Sequence, residues 1–343
     1  MNGGGRHVRA CLSLLVALYA SVLLAGPIAP YDPSEQNRNE PFAPPTRLHF
    51  VDAAGHVHLR PFVYRVVGRP GRFDEYDEDR GVRYPLLVFA RGAPYRVAGI
   101  VAADRHLFGV DGPAKLFLFG TDQYGRDLFS RLLFGAQISL GAGVMAASLA
   151  MGLGILLGGL AGFYGGWADE AVMRIAEVFL ALPWLYLLFA VRAILPLHIG
   201  AGRAFLLLVA VIGVVGWARP ARLIRGIVLS GKHREHALAA RAFGATDLYL
   251  LRRHVLPQTA GVVFTQLAVV IPQYILAEVT LSFFGLGVSE PQPSWGNMLA
   301  ALQRYDVLTS YWWMFLPGIA LSPVFLLYYA LANAFHQQAA RRS

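Results

Sequence analysis

Long apolar runs alternate with short polar connections over most of this chain, and one long proline-rich polar stretch interrupts them. Six runs, at about 10 to 29, 138 to 163, 171 to 191, 200 to 218, 259 to 286 and 311 to 335, are long enough to cross a membrane. About 30 Å of hydrocarbon takes roughly 20 helical residues. The fourth is the weakest: its cleanly apolar part, Ala204 to Ala218, is short unless Ile199 to Gly202 extend it, so a count of five is also open. A backbone in lipid must satisfy its own hydrogen bonds, so these runs are expected to be helices. Gly152, Gly154, Gly158, Gly159 and Gly162 crowd the second run, where small residues let a neighbouring helix approach closely. Pro183 and Pro272 are expected to kink their helices.

The polar stretch runs from Tyr31 to about Lys115, too long for a simple connection. Alternating apolar residues in Arg47 to Val51 and His56 to Val67, separated by Asp52 to Gly55, predict a hairpin. Tyr84 to Ala90 and Tyr95 to Ala102 read as further strands, and the acidic knot Asp74, Glu75, Asp77, Glu78 and Asp79 reads as a solvated loop that follows Pro70. From Thr121 to Gln137, Leu128, Leu132 and Leu133 alternate with Arg126, Asp127 and Arg131 at helical spacing, which predicts an interfacial helix.

Composition agrees with a lipid-embedded chain: of 343 residues, 56% are hydrophobic and 15% charged, and the mean hydropathy is +0.47. The net charge of +9 would raise nucleic acid as a partner in a soluble protein, but here its placement explains it. Arg219, Arg222, Arg225, Lys232, Arg234, Arg241, Arg252 and Arg253 share the connection between the fourth and fifth runs, and Arg341 and Arg342 end the chain. Basic connections stay in the cytoplasm, so with six spans both termini are cytoplasmic, in keeping with Arg6 and Arg9, and the polar stretch is extracytoplasmic. The single cysteine, Cys11, permits no internal disulfide; it lies at the start of the first apolar run, and the apolar stretch follows it, where a lipoprotein anchor would have the stretch before its cysteine. Pro27 and Pro30 occupy the places where a signal peptide needs small cleavage-site residues, so the first run is expected to be a retained anchor.

Within the basic connection lies REHALAARAFGATDLYLLRRHVLP, Arg234 to Pro257. A helical run from Glu235 to Phe243 ends at Gly244, which permits a sharp turn, and a second run from Asp247 to Val255 is expected to stop at Pro257. Physically this is either a helix-turn-helix docking element presenting the small Ala239 and Ala240, or an ordinary basic loop.

The segment resembles the loop of permease subunits of binding-protein-dependent ABC importers, in the branch that moves dipeptides, oligopeptides and nickel. That loop carries Glu-Ala-Ala, a Gly four residues after the second Ala, and a Leu-Pro whose Pro lies thirteen residues beyond the Gly. Ala239, Ala240, Gly244, Leu256 and Pro257 stand in those places; Leu238 replaces the Glu, although Glu235 lies one turn earlier. FGTDQYGRDLFSRLLFGAQISL (Phe119 to Leu140) is similar to the branch's entry into its second span, and AEVTLSFFGLGVSEPQPSWGNML (Ala277 to Leu299) to the connection after its fifth. The resemblance covers about 119 to 335; the C-terminal tail lacks the acidic Asp-Gly-Leu-Arg-Asp type of ending.

The resemblance implies an all-α membrane protein of about six transmembrane helices, to which the alternating residues after Tyr31 add an expected β-rich extracytoplasmic insertion, longer than in the simplest members and inheriting no role from them. It divides into a tail and first helix (1–30), the insertion (31–118) and a five-helix core (119–343) whose coupling loop is 219–258. The implied function is that of an inner-membrane permease subunit with no catalytic site and no cofactor. Its implied partners are two ABC ATPase subunits, a second homologous permease and an extracytoplasmic solute-binding protein. The loop, with Glu235, Ala239, Ala240, Gly244, Asp247, Leu256 and Pro257, would enter a cleft of an ATPase, and nucleotide-driven closure would rock the permeases between two states. The implied cargo is a short peptide, with nickel, other small peptide-like compounds or opines as alternatives.

Other patterns lead elsewhere and fail. Gly226, Gly231 and Lys232 mimic a phosphate-binding loop, but His233 replaces the required Ser or Thr and no strand precedes it. His233 and His236 are three apart where a zinc protease helix needs four, and His56 with His58 are too few for a metal site. An intramembrane protease would need a base near Ser139, Ser148, Ser282 or Ser322, and only His198, near a run's end, comes close. A self-sufficient secondary transporter would show an internal repeat and several intramembrane carboxylates. Arg174 and Glu177 can pair across one turn, and Glu278, with no evident partner in its own helix, is a candidate for the translocation path.

Overall fold

The structure, a computed structural model, describes residues 3–69, 75–97, 101–194 and 200–340. Pro70, Asp74, residues 98–100, His198, Ile199, Arg341 and Arg342, and the side chain of Arg6, lie outside the described residues. In chain order the main elements are α1 (Gly3–Leu23), β1 (His49–Val51), β2 (Val57–Gly68), β3 (Tyr76–Val97) and β4 (Val101–Val110). Then follow α2 (Leu128–Tyr164), α3 (Gly166–Ala181), α4 (Trp184–Ile194), α5 (Ala201–Val215), α6 (Ala218–Gly231) and α7 (Glu235–Ala242). The last are α8 (Ala260–Phe283), α9 (Trp295–Ala300), α10 (Tyr305–Ser310) and α11 (Leu316–Ala340).

Three helical stretches among the described residues, Leu128–Tyr164, Asp247–Phe283 and Trp312–Gln337, are long and apolar enough to cross a membrane. Two bent pairs, α3 with α4 and α5 with α6, raise the number to five if each pair is one span. The helix expected to be the first span is α1, whose apolar part His7–Leu23 is not counted among those three. Pro183 does more than kink its helix: α3 and α4 meet at 96° across Leu182 and Pro183. Pro272 sits inside α8, whose helix continues past it.

The chain divides into two compact units, one of Met1–Leu14, Leu140–Gly287 and Ser322–Ser343, the other of Leu15–Ser139 and Val288–Leu321. In the first, Gly154, Gly158 and Gly162, one helical turn apart, form a seam on α2 against α6. A Cβ on Gly158 would lie 2.2 Å from the carbonyl oxygen of Ala221, and one on Gly162 2.8 Å from that of Arg225. Only hydrogen fits there, which is what the glycine crowding implied. Ala218 and Ala221 of α6 also pack with Trp217 and Ala176.

The second unit holds an antiparallel sheet in the order β1-β2-β3-β4. The expected hairpin is present as β1 and β2. The acidic knot, however, is not a loop: Asp77, Glu78 and Asp79 lie on β3 opposite Val67, Val66 and Arg65. Extended backbone is tolerable there because the carboxylates find side-chain partners across the strands. Arg69 donates to Asp77 at 2.9 and 2.7 Å and pairs with Glu75, while His49 meets Glu78 at 2.9 Å. Nor are Tyr84 to Ala90 and Tyr95 to Ala102 separate strands. β3 runs through both as far as Val97, absorbing Gly92 to Pro94 as a register shift between Arg91 and Tyr95, and β4 follows.

The interfacial helix expected over Thr121 to Gln137 is also corrected. Thr121 to Asp127 forms a tight loop with Gly125 at φ 69°, because Asp122 accepts the backbone N–H groups of Tyr124 and Arg126. Helix α2 starts at Leu128 and continues unbroken for 37 residues.

Candidate functional site

The segment from Glu235 to Pro257 folds as two helical arms around a glycine turn. Arm one is α7, with Glu235 in its first turn, where a carboxylate favours the helix dipole. It ends because Gly244 takes φ +86°, and the Ala245 N–H then reaches the carbonyl of Ala240 at 3.1 Å. Arm two starts at Thr246, whose hydroxyl caps the helix by accepting the Tyr249 N–H, and Arg241 bridges to Asp247 at 2.8 Å across the turn.

Pro257 does not stop arm two, as the sequence suggested. A wide π turn, Leu250–Val255, with the Leu256 N–H on the Leu251 carbonyl, is followed by a tight turn, Leu256–Thr259. The pair accommodates a proline that lacks an N–H, and the helix runs on into α8. Arm two is therefore continuous with a helix long and apolar enough to cross a membrane.

The element has a seated side and a bare side. Leu250, Leu251 and Val255 are buried with Phe163, Ile224 and Val228, and Ala240 and Leu256 pack on the same cluster. Each fully buried aliphatic side chain contributes about 1.5–3 kcal/mol. Beneath it, Lys232 donates at 3.0 Å to the carbonyls of Gly162 and Phe163, closing the C-terminal end of α2. Gln258 ties the arms by reaching the His236 ring at 3.0 Å and the His254 carbonyl at 2.6 Å. On the other side Phe243 is 92% exposed, and Leu238, Leu248 and Tyr249 are each about half exposed. Glu235, Ala239, Gly244 and Pro257 are exposed as well, and Asp247 is half-buried.

A family model described as "Binding-protein-dependent transport system inner membrane component" matches residues 154–341, more than half of the chain. The chain belongs to this family. The dipeptide transport system permease protein of Bacillus subtilis is 38% identical over 211 residues, covering 61% of this chain and 64% of that protein. The oligopeptide transport system permease protein of the same organism is 37% identical over 225 residues, 65% of this chain and 69% of its own length. A glutathione transport system permease protein of Shigella dysenteriae is 40% identical over 245 residues, 71% and 75% of the two chains. The matched stretch thus spans just under two thirds of the first relative and somewhat more of the other two. These relatives fall in the peptide-permease branch that the three motifs resembled.

In this inner-membrane component the other two branch motifs meet in the second unit. Arg126 donates to Asp122 at 2.6 Å and to Glu290 at 2.5 and 3.1 Å, and Arg131 donates to Glu290 at 3.0 and 3.2 Å. Trp295 donates its indole N–H to the Leu132 carbonyl and its backbone N–H to Ser139. Burial pushes the Asp127 carboxyl up to about 7, against the lowering effect of the Ser130 hydroxyl and N–H groups it accepts. The ion network was invisible in sequence because its partners lie about 160 residues apart.

Glu278 is fully buried, and its Oε1 accepts the Ser282 hydroxyl at 2.7 Å. Its own helix therefore does supply a partner, four residues on, a spacing at which hydroxyl and carboxylate meet on one face. Arg174 and Glu177 pair as expected, at 3.4 Å. Lys232, dismissed with the false phosphate loop, proves to be a structural cap. A cation just after a helix, able to fold back onto the end of an earlier one, is the signal that could have found it.

Proposed function

We propose that this chain is one of two permeases in an ATP-driven importer of short peptides, and that the element from Glu235 to Pro257 is where an ATPase subunit docks. The observation that carries the reading is the bare apolar tip on a seated base. An apolar patch this size held rigidly in water marks a surface that a partner covers. Nucleotide-driven closure of two such ATPases would pull the tips, and the continuous helix from Asp247 to Phe283 would pass the displacement into the span region. The energy enters as a population shift between two packed arrangements.

In this reading Ala239 lets the partner approach closely, Gly244 sets the angle of the tip, and Leu256 with Pro257 joins it to the span. Glu278 supplies a polar group to the path in the alternate arrangement. The polar insertion, 31–118, faces the extracytoplasmic side, both termini are cytoplasmic, and 119–343 forms the core. A peptide cargo is supported by the relatives, all of them named for dipeptides, oligopeptides or glutathione.

Gly244→Arg, which forces a side chain onto φ +86°, is expected to abolish peptide uptake while leaving membrane insertion intact; deletion of 239–244 should do the same. Normal uptake by either variant would contradict the docking role. Affinity isolation of the tagged chain in mild detergent should bring down an ATPase and a second permease.

A further inference from the structure

The β3–β4 hairpin of the second unit holds two like charges face to face. Arg91 of β3 and Arg105 of β4 are direct cross-strand partners, and both are exposed. Neither has an ion pair among the described residues. Directly opposite residues of an antiparallel pair share a face about 5 Å apart, where like charges are destabilising. Acidic residues are scarce around them: β3 has none from Arg80 to Val97, and β4 has only Asp104. Alternation along the strand puts Asp104 on the face away from Arg105. A bound anion would turn this repulsion into attraction.

Apolar side chains adjoin the pair. Leu107, two residues from Arg105 and so on its face, is 46% exposed, and Phe89, two residues from Arg91, is 62% exposed. Phe89 holds φ 57°, a conformation that costs free energy in a bulky residue, between the regular pairs Val88 with Phe108 and Ala90 with His106. A small soluble anion has no use for such a border. An amphiphile does.

The hairpin is also clamped to the end of the first helix. His106, buried on β4 next to Arg105, sets Nδ1 3.1 Å from the Gly26 carbonyl oxygen and against that of Ala29, with Nε2 3.0 Å from the Ala93 carbonyl oxygen. The Tyr95 ring closes on Gly26, where an added Cβ would lie 2.5 Å from it. On the helix just before, Val16, Leu23 and Leu24 are bare apolar residues. Only Ala25–Ile28, about 6 Å of helix, separates Leu24 from the clamped Ala29. If α1 lies in lipid, the arginine pair stands at the boundary where lipid gives way to water.

We propose that Arg91 and Arg105 bind the phosphate of an anionic phospholipid in the outer leaflet, with Phe89 and Leu107 against its glycerol and upper acyl groups. Guanidinium forks match phosphate oxygens, and binding at a membrane surface draws on charge and apolar contact together. The proposal rests on the placement of the insertion beyond the first helix, which is part of the importer reading.

The test places the full chain in phosphatidylcholine nanodiscs that contain photoactivatable phosphatidylglycerol or photoactivatable phosphatidylcholine, and maps the crosslinks by mass spectrometry. Wild type should be labelled on β3 and β4 at least about fivefold more by the anionic probe. Arg91→Glu with Arg105→Glu should abolish that preference, and Phe89→Ser with Leu107→Ser should lower labelling by both probes. Arg38→Glu, an exposed position of the insertion outside the hairpin, should change nothing. Arg105→Gln relieves the repulsion, so it should melt no lower than wild type in neutral lipid yet lose the rise in melting temperature that anionic lipid gives the wild type. Equal labelling of the wild type by the two probes, or an undiminished preference in the charge-reversed variant, would overturn the assignment. Loss of labelling on adding soluble glycerol 3-phosphate would overturn it in favour of a site for a soluble anion. The placement is tested separately: Arg38→Cys in a Cys11→Ser background should react with a membrane-impermeant maleimide on intact cells. Reaction only after the cells are opened would remove the placement, an outcome distinct from equal labelling by the two lipids.

Discussion

The base and the tip of the Glu235–Pro257 element are made from similar residues and treated in opposite ways. Leu250, Leu251 and Val255 at the base are almost fully buried, over a seam where three glycines let α2 and α6 touch backbone to backbone. Leu238, Phe243, Leu248 and Tyr249 at the tip are exposed on the isolated chain. Since burying an apolar side chain stabilises a fold and exposing one does not, the base accounts for the element's stiffness and the tip contributes nothing to it. Under the proposed docking role, this exposed tip is the part an ATPase would cover. The contrast can be tested by substitutions whose effects on stability should fall steadily from base to tip.

The largest effect should come from Gly158→Leu, because its Cβ would start 2.2 Å from a carbonyl oxygen of the neighbouring helix. Destabilisation of about 3 kcal/mol or more is expected, seen as loss of folded protein on gel filtration in detergent. Leu251→Ala opens a cavity in the seat and should cost about 2–4 kcal/mol, measured by thermal unfolding. Lys232→Met leaves two helix-end carbonyls without their cap and should cost about 1 kcal/mol, with Lys232→Arg recovering part of it. Phe243→Asp, at the bare end, should shift stability by less than about 0.5 kcal/mol yet reduce peptide uptake at least tenfold. A strongly destabilised Phe243→Asp protein would mean that the tip is part of the fold, and the distinction would collapse.

How much of this was legible beforehand follows the range of the interactions. The glycine turn at 244 and the crowding of small residues at 154, 158 and 162 are local patterns, and both could be read directly. So could the β1–β2 hairpin, from its alternation and its Asp-Ala-Ala-Gly turn. The acidic run at 75–79 departs from the expected loop because the partners of its carboxylates, Arg69 and His49, become neighbours only when the strands pair. Pro257 does not act as the expected stop, because the π turn that accommodates it is not encoded by any short pattern. The loop before α2 departs from the expected helix because the Asp122 turn displaces the pattern that leucine spacing suggests. Helix boundaries and salt links between distant segments are set by packing, and the Arg126, Arg131 and Glu290 network is the clearest instance.

The most direct test of the docking role is to isolate tagged wild type and Phe243→Asp from membranes that also contain the ATPase, quantify the ATPase retained by each, and record both melting curves. The account expects the wild type to hold ATPase in near 1:1 ratio and the variant to lose it while melting at the same temperature. A variant that melts like the wild type and still holds its full share of ATPase would contradict it.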